Sequence, residues 1–173
     1  MLITSSNAPF SVTTTGKVEL LNLNTLEREV LIESAFNAQY ARSGHVIFSR
    51  DAAIWAVPFD LESLEITGGQ VPVVLEVETE QRRGAAIYSF SESGRLIYLR
   101  GGAIGSDDGG WSLTKFGRDG VRRTVDLESQ LYGHLALSPN ESEMAVTIYE
   151  NGNTSDVWLW DLNRDILGRR TFG

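Results

Sequence analysis

The chain has 173 residues, 42% hydrophobic and 22% charged, which suits one folded domain and argues against a disordered chain. Its formal net charge of −8 repels phosphate backbones and anionic lipid, so neither a nucleic-acid nor a membrane partner is expected. It has no cysteine, which removes disulfides, thiolate metal sites and cysteine nucleophiles together. The start, "MLITSSNAPFSVTTTG", has no basic-then-apolar leader and no apolar run reaches ~20 residues, so the expected compartment is cytoplasmic.

In chain order, residues 1–35 predict three strands, Phe10 to Thr14, Val18 to Asn22 and Glu29 to Ile32. Residues 36–80 follow with "NAQYARSGHVIFSRDAAIWAVPFD", where Val46, Phe48, Ile54 and Ala56 alternate with their neighbours, and an outer strand from Val71 to Val77. Residues 85–128 contain Leu96 and Tyr98 in the same role and an outer strand from Arg122 to Asp126. Residues 132–173 contain Met144, Val146 and Ile148, with an outer strand from Arg169 to Phe172. No window carries a sustained helical stripe. "NTLEREVLIESAF" reads as a turn followed by a strand.

The last three segments repeat one pattern: an apolar piece, a serine-rich turn, an alternating strand, a variable loop and a strand bearing Trp55, Trp111 or Trp158. Their turns, anchored at Gly44, Gly94 and Glu141, lie 50 and 47 residues apart. Propeller blades repeat at roughly 40–50 residues. Glu141 replaces a glycine, and Asn140 beside it is expected to take the left-handed conformation. "KVELLNLNTLEREVLI" parallels "DVWLWDLNRDILGRRTF", so the first segment is a partial copy. The predicted fold class is all-β: propeller blades, each a four-stranded antiparallel meander, three of them full and one partial at the N-terminus. Asp60 and Asp161 should cap the turns they open, Pro58 should sit where no ladder donor is needed, and Trp55 and Trp158 should fill space between blades.

"GHVIFSRDAAIWAVPFDLESLEITGGQVPVVLEV" and "LYGHLALSPNESEMAVTIYE…DVWLWDL…RRTF" resemble TolB-like WD-repeat propellers, as found C-terminal to bacterial serine/threonine kinases. Similar blades gate the active sites of prolyl-oligopeptidase-like enzymes. The resemblance implies a ring of about six blades, of which these residues supply about half, without a kinase Gly-rich loop, "HRD" or "DFG". It therefore implies that the ring is completed by a second copy, giving a homodimer, or by the rest of a longer protein.

Candidate chemistry is sparse. The only histidines are His45 and His134, and "GWSLT" lacks the second glycine of a nucleophile elbow, so no catalytic residue is assigned. The acidic loops with Asp107 and Asp108, and with Glu150, Asn151, Asn153 and Asp156, do not fit a calcium-loop motif, so structural calcium is the secondary reading and solvated turns the first. The pairs Arg82-Arg83, Arg122-Arg123 and Arg169-Arg170 read as edge protection before partner binding, the last two in matched "RRT" contexts at the start of an outer strand. "GGAIGSDDGG" and "TGGQ" precede no helix and so make no phosphate cradle. No cofactor or metal ligand set is assigned. The expected function is a non-enzymatic, self-associating scaffold that binds an unidentified protein partner through loops at Gly101 to Gly110 and Glu150 to Asp156. The alternatives are a gating or substrate-selecting segment of a larger hydrolase or kinase, and a lectin-like or calcium-dependent binder.

Overall fold

The computed structural model describes residues 1–6, 16–79, 85–101, 112–116, 119, 121–125, 132–150 and 154–172. All regular structure among them is β, in four antiparallel sheets. The first sheet holds β1 (Leu2–Ser6), β2 (Gly16–Leu21) and β3 (Arg28–Glu33) in that order. The second holds β4 (Phe36–Ala41), β5 (His45–Arg50) and β6 (Ala53–Asp60), and its outer strand is broken into β7 (Glu65–Ile66) and β8 (Val71–Val74), both paired with β6. The third runs β9 (Tyr88–Phe90), β10 (Leu96–Arg100), β11 (Ser112–Phe116) and β12 (Arg122–Thr124). The fourth runs β13 (Tyr132–Leu137), β14 (Glu143–Glu150), β15 (Thr154–Asp161) and β16 (Ile166–Arg169).

The chain divides into two units, Met1–Ala86 and Ile87–Gly173, each containing two sheets and its own core. The first core joins Val18 and Ile32 of the first sheet to Val46, Phe48, Val57 and Phe59 of the second. The second joins Ile97, Leu99 and Leu113 to Tyr132, Met144, Val146, Ile148 and Trp160. Each fully buried aliphatic or aromatic side chain stabilises its unit by roughly 1.5–3 kcal/mol relative to exposure. In the first unit the two sheets meet at Gly16, whose carbonyl accepts from Ala35 N at 3.0 Å. A Cβ there would lie 2.6 Å from the Ala35 carbonyl oxygen, so the approach requires glycine.

Several expected elements move. The strand that pairs with β2 is Leu2–Ser6, and the Phe10 to Thr14 segment lies outside the described residues. β6 and β10 are buried on both faces, not on alternate residues, because apolar side chains project from both. β16 ends at Arg169, because Arg170 N and Thr171 N both turn to the Val157 carbonyl, at 2.8 and 3.3 Å, while Thr171 Oγ1 takes the Val157 N–H at 2.9 Å. The left-handed residue of the third serine-rich turn is Glu141 itself, at φ 60°, matching Gly44 at 80° and Gly94 at 88°. Asn140 instead supplies a side-chain acceptor to Ser142 N at 3.2 Å.

Candidate functional site

Three turns are built alike, one between β2 and β3, one between β6 and β7 and one between β15 and β16. Asn22 Oδ1 accepts from Asn24 N and Thr25 N at 2.9 and 3.3 Å, Asp60 Oδ1 from Glu62 N and Ser63 N at 2.7 and 2.8 Å, and Asp161 Oδ1 from Asn163 N and Arg164 N, each at 3.0 Å. Asp60 and Asp161 thus do what their position after an alternating strand predicts. The amides hold both carboxyls below the usual aspartate range, those of Ser63 and Arg164 contributing most. Five residues into each turn the backbone is left-handed, at Leu26 (φ 60°), Leu64 (φ 59°) and Asp165 (φ 59°). In the third turn Asp165 Oδ1 also accepts the indole N–H of buried Trp160 at 3.0 Å. Lys115 Nζ lies 4.7 Å from the centre of the Trp160 ring, and burial lowers its pKa while nearby Asp165 partly restores it.

Glu141 is the polar residue that sequence reasoning passed over. Its Oε1 accepts from Ser91 Oγ at 2.5 Å and from Ser93 Oγ, and its Oε2 pairs with Arg95 at 3.1 Å. A carboxylate at the left-handed position of one turn therefore grips the equivalent turn of the preceding sheet. A glutamate where its counterparts carry glycine was the available signal.

Asp156, expected in an acidic loop, lies within β15 and forms a structural ion pair with Arg169 of β16. Asp156 is 2% exposed, and its carboxylate accepts from Arg169 Nη2 and from Thr171 Oγ1, the latter at 2.8 Å. Arg169 also reaches Glu150 at 3.4 Å. Arg169 is thus the half-buried partner of the enclosed Asp156, and it closes β16 instead of starting it. Arg122 does start β12, beside the turn and opposite Phe116, whereas Arg169 stands opposite Trp158, so the two "RRT" stretches occupy different rungs. Among the described residues no three histidine, aspartate or glutamate side chains cluster as metal ligands.

His45 Nδ1 lies 3.2 Å from Ser43 Oγ and 3.0 Å from Ser43 O in its own turn, and His134 is exposed on β13. Pro58 stands opposite His45 at the end of β6. Trp55 donates to Arg50 O at 3.3 Å under the Arg50 guanidinium, which itself holds Ser34 O, Glu33 O and Gln70. Trp55 pairs with Phe48 and Trp158 with Val146. Measured from Asp60 and Asp161, the two tryptophans stand two positions apart, so they are not equivalents; Trp160 is the one that is buried, at 1% exposure. Trp111, Asp107, Asp108, Asn151, Asn153, Arg82 and Arg83 lie outside the described residues, as does most of the Gly101 to Gly110 loop.

The first unit carries a groove of about 790 Å³, lined by Met1, Leu20 to Leu23, Glu27 to Glu29 and Leu64. It brings the Asn22 turn against Leu64 of the Asp60 turn.

Solved structures share this arrangement of sheets. TolB from Acinetobacter baumannii superposes over 99% of this chain with a TM-score of 0.67 at 12% identity. A puromycin-hydrolyzing peptidase of Mycobacterium tuberculosis does so over 97% with a TM-score of 0.65 at 12% identity, and an oligogalacturonate lyase in complex with manganese over 91% with 0.62 at 14%. The fold is that of a β-propeller. Each propeller blade here is one antiparallel sheet, and the Asp60 and Asp161 turns join the third strand of theirs to the fourth, while the Asn22 turn joins β2 to β3. The chain spans 41% of the TolB chain, 26% of the peptidase and 42% of the lyase. No protein-family model matches the sequence, and no curated protein does. No helix of the described residues is long and apolar enough to cross a membrane.

Proposed function

We propose that the chain is a non-catalytic propeller module that binds a protein partner and whose ring is completed by a second copy of itself. The observation that carries this reading is that Asp156, offered by the sequence for chemistry, and three further carboxylates are committed to structural partners. Asp60 and Asp161 hold turns, Glu141 holds the neighbouring blade, and Asp156 holds Arg169. Completion by a second copy is supported by the span of the chain, 41% of the TolB propeller protein. Absolute molar mass from light scattering across a concentration series tests it. Twice 19.1 kDa is expected, and a compact 19.1 kDa species at every concentration overturns ring completion by self-association.

A second reading is a gating or substrate-selecting segment of a larger hydrolase or kinase. It is favoured by the puromycin-hydrolyzing peptidase, in which the matching stretch is 26% of a longer chain. Sequencing the transcript through the reading frame decides it, since this reading requires a catalytic domain in the same frame.

A further inference from the structure

The Asn22, Asp60 and Asp161 turns share their hydrogen bonds and their left-handed residue, at Leu26, Leu64 and Asp165, so the strands that lead into them are equivalent. Those strands are β2, β6 and β15. β1 therefore stands beside β2 where β5 stands beside β6 and β14 beside β15. Beyond β5 and β14 each sheet continues into one more antiparallel strand, β4 or β13. Among the described residues β1 has no such neighbour and is an edge of its sheet.

That edge differs from the others. Unpaired sheet edges are ordinarily blunted by charge, proline, bulges or shortness. β3 carries Arg28, Glu29 and Glu33 and a register shift, and β4 and β13 each contain a register shift. β8 has Pro72 and a register shift, β7 has two residues, β9 and β12 have three, and β16 has four. β1 reads Leu-Ile-Thr-Ser-Ser, uncharged, without proline, and in continuous register with β2 from Leu2 to Ser6. Met1 and Leu21 exchange both backbone bonds, at 2.8 and 2.9 Å. By the alternation of an antiparallel ladder, the N–H and C=O groups of Leu2 and Thr4 then point away from β2, along the edge.

We infer that the β1 edge is a docking site for an extended segment of a partner protein, which adds to the first sheet as an antiparallel strand. The strands in the corresponding place elsewhere give its chemistry. β4, β9 and β13 carry no Asp, Glu, Lys or Arg, and each opens on an aromatic residue, Phe36, Tyr88 or Tyr132. Main-chain bonds to Leu2 and Thr4 supply the affinity, and the uncharged, aromatic-led sequence selects the segment. The inference rests on the reading of the chain as a partner-binding module and is independent of how the ring is completed.

The test is fluorescence anisotropy of a labelled peptide with the sequence of Tyr132–Leu137, YGHLAL, titrated with the intact chain. A second peptide, N-methylated at alternate residues, keeps the side chains and loses the donors, and should bind about tenfold more weakly or worse. Thr4→Pro removes one edge donor and no bond to β2, so it should weaken the first peptide about tenfold with little change in melting temperature. In hydrogen exchange, the first peptide should slow the Leu2 and Thr4 amides and leave those of Ile3 and Ser5 unchanged. Equal binding of the two peptides to the unaltered chain, no binding up to about 1 mM, or Leu2 and Thr4 amides that exchange equally fast with and without peptide overturns the inference. So does a lower solution mass of Thr4→Pro than of the unaltered chain, since the edge would then be held by a second copy. Failure here is separable from failure of ring completion: a dimer whose β1 amides ignore the peptide overturns strand addition alone, and a peptide-binding monomer overturns ring completion alone.

Discussion

Ser91 Oγ donates to Glu141 Oε1 at 2.5 Å, joining two serine-rich turns that stand fifty positions apart in sequence. The contact explains why the third turn keeps a glutamate at φ 60° where its counterparts have glycine. Glu141→Ala keeps the strained backbone and loses the bonds to Ser91, Ser93 and Arg95, and should cost about 2–3 kcal/mol. Glu141→Gly relieves the strain and should cost about 1 kcal/mol less, by urea denaturation. Equal losses would show that the left-handed backbone at Glu141 carries no strain, and a loss below about 0.5 kcal/mol in both would show that the carboxylate does not tie the two turns together.

Asp156 and Arg169 form a pair with the carboxylate almost fully enclosed, at 1% side-chain exposure against 27% for the arginine. Asp156→Ala leaves the guanidinium without its main partner and should cost about 3 kcal/mol or more, whereas the double change Asp156→Leu with Arg169→Met should be much less harmful. A single-variant loss below about 1 kcal/mol would mean that solvent reaches the pair freely.

The turn between β5 and β6 has two residues, Asp51 and Ala52, at φ 50° and 54°, between the paired Arg50 and Ala53. Two-residue hairpin turns of this hand favour Asn-Gly. Changing Asp51→Asn with Ala52→Gly should stabilise the chain by about 1 kcal/mol, read from the denaturant midpoint.

Acid should act on the third-to-fourth strand turns. The folded pKa values of Asp60 and Asp161 lie below the ordinary aspartate value, so their contribution is present above the unfolded value and is lost as pH falls through the lower folded pKa. Melting temperature should change little between about pH 7 and 5 and drop below about pH 4. The Asp60→Asn, Asp161→Asn double variant should keep the turns, as Asn22 does, and show a shallower acid limb. An acid limb identical to wild type would assign the loss to other carboxylates.

Much of this fold is legible in one sequence because blades repeat a local solution. Alternating strands, serine-rich turns near Gly44 and Gly94, and the aspartates that end strands at Asp60 and Asp161 follow from rules acting over a few residues. Trp158 and Trp160 mark where that reading stops. They share one face of β15, and period two cannot rank them. Trp160 is buried because Asp165 takes its N–H and Lys115 of the third sheet lies over its ring, whereas the buried Trp158 Nε1 has no hydrogen-bond partner among the described residues. The last outer strand, expected over Arg169 to Phe172, runs over Ile166–Arg169 for a similar reason. Matching "RRTV" to "RRTF" compares composition, while the rung each arginine occupies depends on where the ladder begins and ends.

The sequence by itself determined the all-β class, the repeat and the turns whose side chains bond to their own backbone, since these are short-range matters of pleat, φ and donor count. Only the tertiary structure decided that Glu141 reaches Ser91, that Asp156 is enclosed by Arg169, and that Leu23 and Leu64 line one groove. Each joins residues from different strands or turns. Their distance is set by how strands and sheets pack, and that packing is a sum over many apolar contacts that no single stretch of chain encodes.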